Sequence, residues 1–305
     1  MEISVVIPLY NEENIIPELL QRTISALEPV TEDFEIICID DGSTDSTLAG
    51  LLSFHNKDKR LRVLELSRNF GHQAAYTAGL AYTKGEYVVM LDGDLQDPPE
   101  LVPEMYKKIR EEGLDIVYGK RTGRKESLYR KIFIKVFHYI FKRLSRIDKP
   151  ADTGNFSIMN RAATDALLSL REKNRYIPGL RCFIGFNQGY LEYERSKRKT
   201  GKAKMGFVKL TKLAFDAIFS FSRLPIRLSL IIGTMGILLS LTGTGIVIYK
   251  KIIGVAITGW TSEMLSMYFF GSVQLFFLGI LGEYVFRIFI EAKNRPIYIV
   301  RKVHE

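Results

Sequence analysis

Two carboxylates in the segment Tyr87–Pro99, YVVMLDGDLQDPP, carry the clearest chemical signal in this chain. An apolar run typical of a buried strand ends at Asp92-Gly93-Asp94, so both acids lie at the mouth of that strand. Burying a carboxylate without a partner costs several kcal/mol. The usual partner of two such oxygens is a hard cation that also holds phosphates. The segment therefore predicts an enzyme that uses a nucleotide.

Three further polar segments follow apolar runs in the same way. They are YNEE at 10–13, DDGSTD at 40–45 and SRNFGHQ at 67–73. Turn and helix-capping chemistry would explain one such loop, whereas four favour one common ligand. The sequence contains neither G-x-G-x-x-G nor G-x-x-x-x-G-K-[ST], which argues against a dinucleotide fold and a P-loop.

The elements that must position these loops alternate between strand and helix. Apolar runs predict strands at Ile3–Leu9, Phe34–Ile39, Leu61–Leu66, Tyr87–Leu91 and Asp115–Tyr118, and helical patterns lie between them at Ile15–Leu27, Ser46–Phe54, Gln73–Tyr82 and Leu101–Glu112. Unbroken apolar strands indicate a parallel sheet that is covered on both faces. In such α/β sheets ligands bind beyond the carboxyl ends of the strands, where the polar loops lie.

The overall charge favours an acidic partner. Net charge is +9 and the isoelectric point is near 9.3, which suits nucleotide phosphates, nucleic acid or an anionic membrane face. The two cysteines, Cys38 and Cys182, lack metal-ligand spacing and are expected to stay reduced in the cytosol. Because no signal peptide opens the chain, we expect its first two-thirds to remain in the cytosol.

Two uncharged stretches, Leu228–Tyr249 and Met264–Gly282, are predicted to span a membrane. About 20 apolar residues cross a hydrocarbon core of about 30 Å, and basic residues flank the pair on one side, which predicts that both termini are cytoplasmic. Ile132–Leu144 and Gly206–Arg223 mix aromatic and basic residues. Each could be an interfacial helix or an amphipathic core helix.

These motifs, in this order, resemble the inverting family 2 glycosyltransferases with a GT-A fold. The matching segments are SVVIPLYNEE, IDDGSTDST, LSRNFGHQAA, MLDGDLQDPPE and the closing GILGEY and NRPIY. More narrowly, the chain resembles polyprenyl-phosphate glycosyltransferases. It is similar to bactoprenol-phosphate glucosyltransferases and, more distantly, to dolichyl-phosphate mannose synthases. The resemblance runs from residue 3 to about 300.

The resemblance implies an α/β class protein in four parts. A GT-A domain with a Rossmann-like, mostly parallel sheet occupies residues 1–205 and includes an interfacial segment near 132–144. An interfacial helix follows at 206–227, then a transmembrane region of two helices at 228–290 and a cytoplasmic tail at 291–305. The expected location is the plasma membrane, with the catalytic domain and both termini cytoplasmic.

The resemblance also assigns roles to residues at matching positions. Asp92 and Asp94 would hold Mg²⁺ or Mn²⁺ on the diphosphate, and Arg121, Arg198 and Lys204 would meet the diphosphate or the lipid phosphate. The implied nucleotide-binding residues are Pro8, Tyr10, Glu12, Asp41, Asp92, Gly93, Asp94 and Gln96. Bland alternatives remain for some of these residues. Asp41 could cap the helix that begins near Ser46, and the charge run around Arg198 and Lys204 could be a solvated face.

One position departs from the pattern. Related bacterial sequences often carry an acid where this chain has Asn155, and a neutral amide cannot act as a general base. Asp152 could act instead. A base is unnecessary if the acceptor is a lipid monophosphate, because its second pKa lies near 6 and it is mostly a dianion at neutral pH.

The resulting prediction is an enzyme that transfers a sugar, with inversion, from a nucleoside-diphosphate sugar to polyprenyl (undecaprenyl) phosphate. UDP-glucose is the first choice of donor, followed by UDP-N-acetylglucosamine, other UDP-sugars and GDP-mannose. The expected partners are the donor, the lipid acceptor and the membrane, without nucleic acid, and the small residues of the spans would allow self-association. A processive polysaccharide synthase and a non-enzymatic membrane scaffold are the alternatives.

Overall fold

The computed structural model describes residues 1–122, 153–173, 175–194 and 259–305, with parts of 233–254. These residues fall into two compact units. The first combines residues before Lys204 with Pro296–Glu305, and the second runs from the described residues near 233 to Arg295. The predictions for Asp152, Arg198, Lys204, the segments 132–144 and 206–227 and most of 228–249 lie outside the described residues.

An eight-stranded sheet forms the centre of the first unit. Its strands lie in the order β7-β5-β6-β4-β1-β2-β3-β8. Pairing is parallel between β1 and β2, β1 and β4, β2 and β3, and β5 and β7, whereas β6 and β8 are antiparallel to their neighbours. The strands are β1 Ile3–Leu9, β2 Phe34–Asp40, β3 Leu61–Leu66, β4 Tyr87–Met90, β5 Ile116–Thr122, β6 Thr153–Asn160, β7 Gln188–Glu194 and β8 Val300–His304. The predicted mostly parallel sheet is thus confirmed.

Helices connect the strands. They are α1 Ile16–Leu27, α2 Thr47–Lys57, α3 His72–Ala81, α4 Val102–Glu111, α5 Arg161–Ser169 and α6 Ile177–Phe183. Each of the first four returns the chain to the same end of the sheet, so β1 to β4 run parallel and their polar loops meet at one edge. α1 begins with a proline at its start, where the missing N–H is tolerated, and buries one face through Ile16, Leu19, Leu20 and Leu27.

The core strands match the sequence prediction closely because they are apolar at almost every position. All seven residues of β1 and of β2 are buried, as expected for strands covered on both faces. The predicted short strand Asp115–Tyr118 is instead β5, Ile116–Thr122, because pairing with β6 and β7 continues the strand through polar residues.

The end of the chain forms the eighth strand. β8 pairs antiparallel with β3, Arg301 lies 3.2 Å from Glu65, and the Ser67 amide donates to the Ile299 carbonyl. The prediction ended the catalytic domain at residue 205 and treated 291–305 as a tail. The structure instead adds Pro296–Glu305 to the first unit, a pairing between distant residues that local sequence pattern does not reveal.

The second unit contains one long apolar helix, α7 Trp260–Lys293. Its segment Phe269–Lys293, with a mean hydropathy of 1.7 and no burial in the unit, is the one helix long and apolar enough to cross a membrane among the described residues. The predicted span Met264–Gly282 lies within α7. Within the other predicted span the structure describes a shorter apolar helix, Gly233–Gly243. Two membrane spans are therefore not confirmed.

An ion pair and a left-handed residue lie near the end of α7. Arg287 donates to Glu283 at 2.8 Å, the pairing that their spacing of four predicts. Asn294 adopts a left-handed conformation with φ of 44°, and such residues terminate helices.

A buried ion pair between Glu35 and Arg62 joins parts of the first unit near the beginnings of strands β1 to β3. Glu35 accepts from Arg62 at 2.8 Å, from the Ser4 hydroxyl at 2.6 Å and from the Lys84 amide at 2.8 Å. Arg62 also donates to Glu305 at 2.6 Å. The pair therefore joins the first three strands of the chain to its last residue.

Replacing Glu35 with Gln should destabilise the protein. Removing one member of a buried ion pair costs about 3–5 kcal/mol when the other charge is left without a partner. Arg62 would keep only the exposed carboxylate of Glu305, so we expect a loss below that range and a lower melting temperature in a thermal unfolding assay. Glu28→Gln, which touches only the exposed Arg60 pair, should change stability by less than about 1 kcal/mol. Equal melting temperatures for the two variants would contradict this account of the network.

Candidate functional site

The first two polar loops bind each other at the carboxyl end of the sheet. Asn11 has a positive φ of 53°. Its side-chain Oδ1 accepts from the Thr44 backbone amide at 2.8 Å, and its backbone amide donates to Ser43 Oγ at 3.1 Å. The Glu12 amide donates to Thr47 at 2.9 Å. These bonds fix the loop that carries Tyr10, whose side chain is 37% exposed. The protein's own hydrogen bonds therefore hold these two loops together at this edge of the sheet, which we call the rim.

Asp41 links the second loop to the third. Its two carboxylate oxygens accept from the backbone amides of Phe70 at 2.7 Å and Gly71 at 3.0 Å. The side chain is buried, and burial raises the pKa of Asp41 even though both amides favour its charged form. Asp41 therefore fixes the start of α3. Ser46, rather than Asp41, is the residue that precedes α2.

Gly42 permits this close approach. It has a φ of 67°, and a Cβ atom there would lie 2.5 Å from the carbonyl carbon of Arg68. Any side chain would push the second and third loops apart. Glycine is required here by both the backbone angle and the contact.

The Asp92 carboxylate is the centre of the site. Its Oδ1 accepts from the Tyr76 hydroxyl at 2.7 Å, from His72 Nε2 at 3.3 Å and from Asn155 Nδ2 at 3.5 Å. Arg121 Nη2 lies 4.0 Å from Oδ2. Burial alone would raise the pKa of Asp92, but His72, Tyr76 and Arg121 outweigh it and hold the pKa below its usual range. Asp92 is therefore ionised at neutral pH.

Asp94 lies two residues after Asp92 in the same loop. Its Oδ1 accepts from the Gln96 amide at 3.2 Å, and Leu95 takes a φ of 55°. Gly93 lies against the end of β1, since a Cβ atom there would meet Leu9 at 2.6 Å and the Pro8 carbonyl at 3.0 Å. Close packing therefore brings Pro8 and both carboxylates of the motif to one edge.

The donor set at this edge fits a hard cation that brings its own phosphate ligands. Across the described ranges, no group of three or more His, Cys, Asp or Glu side chains could hold a metal. Mg²⁺ is commonly held by one or two carboxylates together with substrate phosphates. Asp92 and Asp94 supply oxygen ligands of that kind.

Arg121 is held rigidly beside Asp92. Its Nη2 donates to Asp97 at 2.9 Å and its Nε to the Tyr193 hydroxyl at 3.1 Å, while Tyr193 also donates to Asp97. Burial would lower the pKa of Arg121, but Asp97 and Tyr193 outweigh this effect and raise the pKa above its usual value. Gly154 makes room, since a Cβ atom there would lie 2.8 Å from Arg121 Nη2. A permanent positive charge therefore faces the carboxylate.

Asn155 reaches the same place from β6. Besides its contact with Asp92, its Oδ1 accepts from Gln73 Nε2 at 3.4 Å and its Nδ2 lies 3.5 Å from His72 Nδ1. The amide therefore bridges α3 and the carboxylate.

The structure brings together most of the predicted residues that it describes and adds others. Pro8, Tyr10, Glu12, Asp41, Asp92, Gly93, Asp94, Gln96 and Arg121 all lie on the loops at this edge or next to them. Sequence reasoning did not single out Tyr76, Asp97 or Tyr193 as parts of the site, and it included His72 and Gln73 only as members of the polar segment 67–73. Asp97, the third acid of DGDLQDPP and 0% exposed, could have been recognised from its spacing. The other two, Tyr76 and Tyr193, lie in α3 and β7 and carry no local signal.

Comparison with known proteins defines the class. Residues 4–168 match the model of glycosyl transferase family 2. The chain belongs to this family and is therefore a glycosyltransferase.

Individual relatives extend over the whole chain. The Synechocystis glycosyltransferase sll0501 is 40% identical over 98% of this chain and 95% of its own. The SfII prophage-derived bactoprenol glucosyl transferase of Shigella flexneri is 35% identical over 100% of this chain and 99% of its own. The glucosyl-3-phosphoglycerate synthase of Mycobacterium tuberculosis, solved with Mn²⁺, UDP-glucose and phosphoglyceric acid, is 19% identical over 71% of this chain and 77% of its own, with a TM-score of 0.48.

His72 should make the stability of the free protein depend on pH. Its side chain is 47% exposed. The partial loss of solvent around the ring would lower its pKa, but the contact with Asp92 and the charges of Asp94 and Asp41 raise it. A raised pKa stabilises the fold fully below the unfolded pKa of about 6.5, and this contribution disappears as pH rises through the folded value. We expect the melting temperature, measured in chelator without nucleotide, to fall between pH 6 and 8 more steeply in the native protein than in His72→Gln. Parallel pH profiles would contradict the assignment.

Proposed function

We propose that this glycosyltransferase moves a sugar from a nucleoside-diphosphate sugar to polyprenyl phosphate. The observation that carries the proposal is the pair Asp92 and Asp94 at the rim, with Arg121 fixed 4.0 Å from Asp92. Full-length relatives named bactoprenol glucosyl transferase support a lipid acceptor. Their name also favours glucose, so UDP-glucose is our first choice of donor. UDP-N-acetylglucosamine, other UDP-sugars and GDP-mannose follow.

The departing diphosphate is the main electrostatic problem of this reaction. Mg²⁺ or Mn²⁺ held by Asp92 and Asp94 would supply positive charge to its oxygens. Arg121 adds a charge that is already fixed by Asp97 and Tyr193 and needs no rearrangement during the reaction. Pro8, Tyr10, Glu12, Asp41 and Gln96 are proposed to bind the nucleotide, with Arg198 and Lys204 on the diphosphate or the lipid phosphate.

The acceptor needs no strong base. Polyprenyl phosphate is mostly a dianion at neutral pH, since its second pKa is near 6, and its oxygen can attack the anomeric carbon directly. This is consistent with a neutral amide at Asn155. If a general base is used, Asp152 is the carboxylate that we propose for it. Direct displacement would invert the anomeric configuration.

The chain path supports attachment to a membrane from one side. Residues 3–122, 153–173, 175–194 and 296–305 belong to one compact unit, so the chain between residues 194 and 296 must return to the side that it left. The exposed apolar segment Phe269–Lys293 is suited to one crossing. An even number of crossings then requires a second, for which we propose residues 228–249. The basic flanks would place the folded unit and both termini in the cytoplasm.

Loss of the carboxylates should abolish transfer. Asp92→Asn and Asp94→Asn each remove a charge needed at the diphosphate, so we expect transfer to fall by about 100-fold or more. The measurement is radiolabelled sugar moved from each candidate donor to undecaprenyl phosphate in detergent with Mg²⁺ or Mn²⁺.

Asp33→Asn is the matched control, because Asp33 is exposed and, within the part of the chain that the structure describes, its carboxylate pairs with the amino group of Met1. It should transfer sugar at the native rate. Full activity in both motif variants, or no transfer by the native protein from any donor, would refute the proposal.

The proposed topology predicts which engineered cysteines a membrane-impermeant maleimide reaches. Cys38 is fully buried and can stay, and Cys182→Ser removes the other thiol. In that background, Ile253→Cys should be labelled in intact cells because residue 253 follows the first proposed crossing. Arg301→Cys should be labelled only after the membrane is opened.

A second outcome tests the alternative of a helix that lies on one surface. If both cysteines require an opened membrane, or if both react in intact cells, the paired crossing is wrong. Sugar transfer by each labelled-site variant before treatment confirms that the protein is folded.

A further inference from the structure

Arg181 is the largest side chain that is fully buried in the described part of the chain. It lies in α6, is 1% exposed, and directs both terminal nitrogens at the beginning of β6. Nη1 donates to Ser157 Oγ at 2.6 Å and to the Asn155 carbonyl at 3.1 Å, and Nη2 donates to the Gly154 carbonyl at 2.8 Å. One guanidinium thus holds three acceptors within four residues.

The charge of Arg181 has no acidic partner nearby. Among the residues that the structure describes, no carboxylate lies within ion-pair distance of it, and its Nε has no hydrogen-bond partner. The Tyr118 ring lies 5.7 Å from the guanidinium carbon. Arginine is rarely buried unless it is paired, and an unpaired buried charge is costly. Packing alone therefore does not account for arginine at this position.

The segment that Arg181 holds carries Asn155. The Ile177 amide, at the start of α6, donates to Gln73 Oε1 at 2.8 Å. Gln73 must then turn its Nε2 toward Asn155 Oδ1, which leaves Asn155 Nδ2 facing Asp92. An ionised carboxylate only accepts hydrogen bonds, so this orientation is the one that Asp92 requires.

We propose that Arg181 is a positioning residue for sugar transfer. Its planar fork holds the backbone of Gly154–Ser157 so that the Asn155 amide donates to Asp92 Oδ1 and keeps the other oxygen toward Arg121. α6 therefore fixes Asn155 twice, through Arg181 at its backbone and through Gln73 at its side chain. The role in transfer rests on the proposed function, whereas the effect on Asp92 does not.

Arg181→Lys separates the fork from the charge. Lysine keeps the charge but cannot bond three acceptors in one plane. Groups that orient a ligand of a metal typically change metal affinity or activity by about 10- to 100-fold. We expect a loss of this size both in kcat/KM for transfer and in the affinity for UDP with Mn²⁺, measured by calorimetry.

Arg175→Lys is the matched control. Arg175 is also buried, and it donates to the carbonyls of Leu167 and Leu170 at 2.8 and 2.7 Å, at the end of α5. Its substitution should cost a similar amount of thermal stability but should change UDP–Mn²⁺ affinity by less than about twofold. Equal losses of affinity in the two variants would show that Arg181 acts only through stability.

A double-mutant cycle tests whether Arg181 acts through Asn155. In an Asn155→Ala background, Arg181→Lys should lower UDP–Mn²⁺ affinity and kcat/KM by no more than about twofold further, because the group that it positions is absent. Independent, multiplicative losses would overturn the inference. Unchanged affinity in Arg181→Lys alone would also overturn it.

Two further outcomes remain distinguishable. If Arg181→Lys does not fold, Ser157→Ala removes the 2.6 Å contact with Arg181 together with the bond from Ser157 Oγ to the Asn155 carbonyl at 2.9 Å. It should give a smaller loss of affinity that also vanishes in the Asn155→Ala background. The absence of any such loss would refute the inference. If the native protein binds UDP with Mn²⁺ but transfers no sugar to polyprenyl phosphate, the proposed function fails while the cycle on affinity still decides the role of Arg181.

Discussion

The ionised carboxylate of Asp92 is the constraint on which the rest of the site depends. Burial opposes its charge, so the surrounding structure must supply donors, and it does so from three elements: Tyr76 and His72 on α3, Asn155 on β6 and Arg121 on β5. Each donor requires its own element to be held in register. The negative charge of Asp92 therefore constrains the positions of α3, β5 and β6. Three of the four donors, Tyr76, His72 and Asn155, contact the same oxygen, Oδ1.

The same reasoning explains why the rim combines acids with backbone amides. Asp41 accepts from the amides of Phe70 and Gly71, which fixes the loop just before His72 begins α3. The carboxylate of one loop thus places the donors that stabilise the carboxylate of another. Asp97 plays a comparable part for Arg121. At this edge one buried carboxylate thus fixes the groups that stabilise another charge. An electrostatic site that is held in place in this way needs little rearrangement when charge develops.

Sequence reasoning recovered the elements whose signal is local. Strands β1 to β4 are apolar at most positions, and the loops after them contain acids, amides and glycine. These strands and the position of the rim could therefore be predicted directly. β6 alternates in TGNFSIMN and β8 in VRKVH, and such short polar strands become recognisable only through their partners. Tyr76 and Tyr193 belong to the site for the same reason: their hydroxyls reach it across tertiary distances that no spacing in the sequence encodes.

The final strand gives the fold a consequence beyond stability. β8 pairs with β3, Arg301 contacts Glu65, and Glu305 reaches Arg62, so the chain that follows α7 is bound to the unit that precedes it. Under the proposed function the acceptor is a lipid that cannot leave the bilayer cheaply, at about 0.8 kcal/mol per methylene group, so the catalytic domain would have to stay near the surface. Tethering the domain through chain segments on both sides of the apolar region restrains it more than a single linker would, since closing a loop reduces the positions that a domain can explore.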